Sequence, residues 1–185
     1  MIPRPPLVSL GLAVLITLCS TAVAGEPSTT VRGIGIAAGT AYDPEVFPVV
    51  LTTAFVLLDY DSVFWHKAPD PLRLKLEGNL GTAVGDRKGL MASANALVSF
   101  TVDVGSMTVF PYGEAGIGLI YTDFRVDGQG SKFNFNPQAG LGLEFRGSGK
   151  PRGWLALRIH HISNGGLNDE NRGVNSVLVS AGTMF

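Results

Sequence analysis

"LRLKLEGNL", residues 72–80, decides the fold. Leu72, Leu74, Leu76 and Leu80 share one face at period two, and Arg73, Lys75, Glu77 and Asn79 share the other. A helix would scatter these charges around its circumference, whereas a strand puts them all on one side. The next segment repeats the pattern: Ala92, Ala94, Ala96, Val98, Phe100, Val102 and Val104 oppose Ser93, Asn95, Ser99, Thr101 and Asp103, with only Leu97 breaking the polar row.

Working outward, "FNFNPQAGLGLEF" (133–145) sets Phe133, Phe135, Ala139, Leu141, Leu143 and Phe145 against Asn134, Asn136, Gln138, Gly140, Gly142 and Glu144. "MTVFPYGEAGIGLIYT" (107–122) places Glu114 opposite Ala115, Ile117 and Leu119, and "GWLALRIHHIS" (153–163) follows. Residues 31–40 and 49–59 supply two earlier strands with poorer alternation, and "NSVLVSAGTMF" (175–185) brings the count to eight. Turn chemistry fills the gaps in "DPEVFP", "HKAPDP", "GDRKG", "VDGQG" and "RGSGKPRG".

A soluble sandwich or lipocalin also alternates, but its polar face meets water. Even strand number, strands of about 9–11 residues, apolar residues outward and polar residues inward describe a membrane barrel. The expected fold is therefore all-β, an eight-stranded antiparallel transmembrane β-barrel. A strand ending in Phe185, with Thr183, Ala181, Val179 and Val177 alternating before it, resembles those of bacterial outer-membrane barrels, whose assembly machinery recognises such a terminal aromatic strand.

The 185 residues and formal net charge of −1 fit one domain and lack the basic excess of a nucleic-acid binder. Residues 1–24 carry Arg4, an apolar run from Leu7 to Leu18 and small residues ending at Ala24, the pattern of a secretory signal peptide. The barrel domain is accordingly assigned to 25–185. Cys19, the only cysteine, lies within the leader and reads as apolar filler, so the mature chain has no thiol and no disulfide. After the leader, no stretch approaches the roughly 20 apolar residues of a spanning helix.

Strand parity assigns the two adjacent histidines to opposite faces. Leu155, Leu157 and Ile159 form the lipid-facing set, which His161 and Ser163 continue, while His160 falls with Arg158 inside. His160 reads as a satisfied interior histidine with Glu114 or Glu144 in reach. Counting back by twos from Phe185 reaches Val177 and then Asn175, also outward, and adjacent strands about 4.8 Å apart bring it toward His161. With both termini periplasmic, His161, Ser163 and Asn175 sit at the outer end of the barrel, beside the lipopolysaccharide leaflet. A histidine two residues from a serine on one face can activate it as a nucleophile, and a third group can orient the imidazole. His66, His160 and His161 offer no metal site, and no cofactor is expected. Phe64, Trp65, Tyr112, Tyr121 and Trp154 fit interfacial girdles or core packing equally well.

The segment "HHISNGGLNDENRGVN" (160–175) resembles the signature of the PagL-type lipid A 3-O-deacylases through His161, Ser163, Asn164, Gly165, Gly166, Asn171 and Gly173. "PYGEAGIGL" and "PQAGLGLEF" are similar to that family's late strands, and the earlier part of the chain matches in architecture only. The resemblance implies an outer-membrane esterase that hydrolyses the 3-O-linked acyl chain of lipid A, with Ser163 as nucleophile and His161 as its base. It also implies an oxyanion site at the N–H groups of Asn164 to Gly166 and the Asn171 amide. The partners implied are lipid A and its lipopolysaccharide, the outer-membrane bilayer and the assembly machinery; a homodimer is left open. One departure is that the family has glutamate where this chain has Asn175, so the acidic triad member is absent. The expectation is an active enzyme, with room for a reduced rate, in which Asn175 ranks above Asp169 and Glu170 as the orienting group.

Two other readings compete. A non-enzymatic small outer-membrane barrel with a structural or adhesion role would leave lipid A unchanged. A soluble barrel holding a hydrophobic ligand would need no detergent, and the charged interior face argues against it.

Overall fold

The computed structural model describes residues 30–64, 67–105, 108–148 and 150–185. The leader assigned to residues 1–24, Trp65 and His66 lie outside the described residues. Nine strands form: β1 (Val31–Asp43), β2 (Phe47–Asp59), β3 (Leu72–Ala83), β4 (Gly89–Thr101), β5 (Val109–Thr122), β6 (Phe133–Phe135), β7 (Gln138–Gly147), β8 (Lys150–Ile162) and β9 (Val174–Met184). Every ladder is antiparallel, and β1 pairs with both β2 and β9, so the sheet closes on itself. Closure leaves no edge strand, which is what a sheet in hydrocarbon requires of its backbone polar groups.

β6 and β7 are one barrel strand in two pieces, both paired with β5. Pro137 separates them because it has no N–H for the ladder. Asn136 carries the register across the break by exchanging both backbone bonds with Gly118, at 2.8 and 3.2 Å. The barrel is thus eight-stranded and all-β, with helical structure among the described residues confined to single turns at Tyr60–Val63 and Gly85–Arg87.

Alternation sets the two faces as a membrane barrel needs them. Leu141, Leu157 and Ile159 point outward with 73%, 55% and 56% of their surface exposed, while Glu77 and Glu114 are buried inside. The middle of the lumen holds a cluster of charges. Lys75 Nζ meets Glu114 Oε2 at 3.0 Å, Arg158 Nη1 meets Glu77 Oε1 at 2.6 Å, and Arg158 also bonds Glu114. Two cations and two anions cancel there, with Asn79 and Asn95 donating to Glu77. Such pairing is the condition for burying charge at all.

Apolar layers plug the lumen on either side. Toward the termini, Phe55 and Trp154 pack edge to face at 4.9 Å with Tyr112, Leu57 and Met184. Tyr112 and Trp154 therefore belong to the interior rather than to an outer girdle. Toward the other end lie Phe47, Val49, Leu51, Met91, Ile120, Ile162 and Leu178. Among the described residues, these apolar layers and the charged layer between them pack the lumen.

His160 departs from the expected role of a satisfied interior residue. It is buried, but its Nε2 has no hydrogen-bond partner. The carboxylates it was expected to reach are already engaged: Glu114 by Lys75 and Arg158, Glu144 by Arg146. It borders a void of about 10 Å³ that Arg158, Glu77 and Ser180 also line.

Candidate active site

The site lies at the end of the barrel opposite the termini, where β8 stops and β9 starts. The β8–β9 ladder runs without a register shift from Gly153 to Ile162, and it places His161 directly opposite Asn175. Their side chains meet on the outer face, His161 Nδ1 to Asn175 Oδ1 at 2.7 Å. An amide oxygen only accepts, so Nδ1 carries the proton and Nε2 presents its lone pair.

Ser163 follows Ile162, whose side chain turns into the lumen, so Ser163 returns to the face of His161. Its backbone is clamped to Phe135 by two bonds, Phe135 N to Ser163 O at 2.8 Å and Ser163 N to Phe135 O at 3.1 Å. The side chain is not clamped. Among the described residues, neither Ser163 Oγ nor His161 Nε2 has a hydrogen-bond partner, and a two-residue strand step separates their backbones by about 7 Å.

Beyond Ser163 the chain turns sharply. Gly165 and Gly166 have φ of 66° and 81°, a backbone region in which a side chain is strained. Asn164 holds the turn and is almost wholly buried. Its Oδ1 accepts from Gly166 N at 2.9 Å, its Nδ2 donates to Glu170 O at 2.8 Å, and its own N–H donates to Asn171 Oδ1 at 2.8 Å. Of the oxyanion donors expected from the resemblance, the N–H groups of Asn164 and Gly166 are thus engaged within the loop. Gly165 N–H and Asn171 Nδ2 are the two without a partner among the described residues.

A second loop braces the first. Gly130 N donates to Glu170 O at 2.8 Å and Arg172 N to Gly128 O at 2.7 Å, around a bridge between Gln129 and Asn171. Gly173 lies under the imidazole, and a Cβ built there would stand 2.5 Å from His161 Cε1. The missing side chain is what lets the ring sit where it does.

Sequence reasoning passed over Asp43, which was read only as part of the turn "DPEVFP". The β1–β9 register shifts between Ala41 and Asp43, so Asp43 rather than Tyr42 stands opposite Asn175. Asp43 Oδ2 accepts from Asn175 Nδ2 at 2.8 Å, and Oδ1 accepts from Arg172 Nη2 at 3.0 Å. Among the described residues the imidazole bonds Asn175 rather than Asp169 or Glu170, and Glu170 serves the loop through its backbone. Nearby, Arg87 is tied to Glu45 at 2.6 Å, and that hydrogen bond raises the guanidinium above its ordinary range.

A closed eight-stranded barrel with a histidine and a serine on its lipid-facing rim narrows the comparison with known proteins. The family model described as "Lipid A 3-O-deacylase (PagL)" matches residues 54–183, well over half of the chain. The chain belongs to this family. Its fold is similar to that of the crystal structure of the outer membrane enzyme PagL, with a TM-score of 0.61 at 21% identity over 83% of this chain and 97% of that one. Neisserial surface protein A is equally similar in shape, with a TM-score of 0.62 at 14% identity over 86% of this chain and 98% of that one. No individually curated protein sequence matches the chain. Barrel and family together place the protein in the outer membrane, within a family of lipid A deacylases.

Proposed function

We propose that the protein hydrolyses the 3-O-linked acyl chain of lipid A in the outer leaflet, with Ser163 as nucleophile and His161 as general base. The observation that carries this reading is an exposed imidazole with Nδ1 tied down by Asn175 at 2.7 Å and Nε2 unspent, two residues from an unspent serine. Two neighbouring barrels of equal similarity, one of them described only as a surface protein, mean that shape alone argues no activity. The rim side chains and the family do.

His161 Nε2 takes the Ser163 Oγ proton as Oγ attacks the ester carbonyl, a contact of the kind that catalytic pairs often close only with substrate bound. The oxyanion is met by Gly165 N–H and Asn171 Nδ2, donors already fixed by the loop. Imidazolium then returns the proton to the departing sugar oxygen. Water, deprotonated by the same Nε2, releases the fatty acid from Ser163 and restores the serine hydroxyl. Asn175 holds the ring in the tautomer this sequence needs, as asparagine does in Cys-His-Asn hydrolases.

The test is mass spectrometry of lipid A from a host expressing the wild type or Ser163→Ala. The wild type is expected to remove one hydroxyacyl chain, and the variant to lose about 10²-fold or more of that activity while folding normally. Undiminished turnover by Ser163→Ala would end the nucleophile assignment. Unchanged lipid A with a folded wild type would favour a barrel without this activity.

A further inference from the structure

We infer that Asp43 is a positioning residue of this site, acting on His161 through Asn175 in place of a carboxylate in direct contact with the ring. This rests on the Ser163–His161 reading and deepens it. Three bonds make a continuous chain: His161 Nδ1 to Asn175 Oδ1 at 2.7 Å, Asn175 Nδ2 to Asp43 Oδ2 at 2.8 Å, and Arg172 Nη2 to Asp43 Oδ1 at 3.0 Å.

Asn175 alone cannot set the imidazole. Its amide presents an acceptor and a donor of the same shape, and either can face Nδ1. With the oxygen toward the ring, Nδ1 is protonated and Nε2 is a base. With the nitrogen toward the ring, Nδ1 must accept, the proton sits on Nε2, and Ser163 has no base. Asp43 breaks that symmetry because a carboxylate accepts and never donates. It must face Nδ2, so Oδ1 must face His161.

Arg172 completes the device. It occupies the second carboxylate oxygen, and its own main chain is bonded to Gly128 in the facing loop. The carboxylate therefore cannot swing away from Asn175 without losing an ion pair. Its place in the fold comes from a local irregularity: Ala41 is fully buried in the lumen, so regular alternation would send Asp43 inward as well. The register shift between them turns Asp43 to the outer face beside Asn175.

The test compares kcat and KM on purified lipid A in detergent micelles for the wild type, Ser163→Ala, Asp43→Ala, Asp43→Asn, and Asp43→Ala combined with Asn175→Glu. Folding of each is verified by the heat-modifiable shift of barrels on gels. Asp43→Ala is expected to lose about 10- to 100-fold in kcat, with KM within about twofold. Asp43→Asn should fall in the same direction, because Arg172 claims its single oxygen and leaves an amide nitrogen facing Asn175. The double variant should recover most of the loss, since a glutamate at 175 accepts from Nδ1–H without help. Nitrogen-15 spectra should show His161 shifting from the Nδ1–H tautomer toward a mixture in Asp43→Ala.

Wild-type kcat in a folded Asp43→Ala or Asp43→Asn, alongside an inactive Ser163→Ala, would overturn the role of Asp43 and leave the proposed activity standing. Full turnover by Ser163→Ala would remove both. A loss in Asp43→Ala that the second substitution does not recover would reduce Asp43 to a structural staple. Should Asp43→Ala fail to fold, the near-isosteric Asp43→Asn decides.

Discussion

The charged layer inside the barrel and the rim at His161 use the same kinds of side chain, and they differ in what they leave unspent. In the lumen, Arg158 donates to Glu77, Glu114 and Gln138, Lys75 pairs with both carboxylates, and Asn79 and Asn95 add bonds to Glu77. At the rim, the chain from Arg172 through Asp43 and Asn175 ends on the His161 ring, whose Nε2, like the nearby Ser163 hydroxyl, has no partner among the described residues. The first arrangement allows charge to exist between two apolar plugs. The second stores a lone pair and a proton where lipid can reach them. Two consecutive residues, His160 and His161, fall on either side of this difference, one with its unpartnered nitrogen in the lumen and the other with it on the outer face.

The largest effect follows from cutting the interior layer. Arg158→Leu leaves Glu77 and Glu114 to share Lys75 as the cation between them, and an unpaired buried carboxylate costs on the order of 3–5 kcal/mol. The urea midpoint for folding into lipid vesicles should drop accordingly, while that of Ser163→Ala stays near wild type. Equal midpoints for the two variants would show that the lumen charges are as dispensable to the fold as the rim.

How far each region can be read from sequence follows from the same contrast. Alternation is local, so "LRLKLEGNL" alone puts Lys75, Glu77 and Asn79 inside, and the outward run Leu155, Leu157, Ile159 carries His161 to the lipid face. β2 resisted that reading because Phe47, Val49, Leu51 and Phe55 fill the plugs from inside while Val50 and Ala54 face out, leaving both faces apolar. Asp43 was illegible for another reason. Its orientation depends on a register shift against β9, some 130 residues away in the chain, and no period along β1 records it. The unpartnered His160 Nε2 also depends on distant competition, since Lys75 and Arg158 take the oxygens of Glu114 first.

A smaller effect should come from crowding the rim without removing any polar group. A Cβ at position 173 would stand 2.5 Å from His161 Cε1 and 3.1 Å from Nε2, so Gly173→Ala must push the ring aside. The ring is exposed and can yield, so the fold should lose less than about 1 kcal/mol. Activity should fall by about tenfold, because displacing a general base by a fraction of an ångström misaligns proton transfer. Wild-type kcat in this variant would show that the ring has slack, and that Asn175 and Asp43 hold it less tightly than their bonds suggest.

The smallest effect belongs to His160, and it tests whether the two histidines are truly separate. His160→Leu removes a buried ring nitrogen that has no hydrogen-bond partner and fills nearly the same volume beside Leu51, Leu178 and Trp154. Losing an unsatisfied polar atom offsets the cost of imperfect packing, so stability should change by less than about 1 kcal/mol. Deacylation should stay within about twofold of wild type, against a loss of about 10²-fold or more for His161→Leu. The two substitutions are chemically identical and one residue apart, so any difference measures only which face of β8 each residue occupies. A tenfold or greater fall in kcat for His160→Leu would mean that the lumen and the rim are coupled through the strand, since among the described residues no side-chain bond joins the interior network to His161.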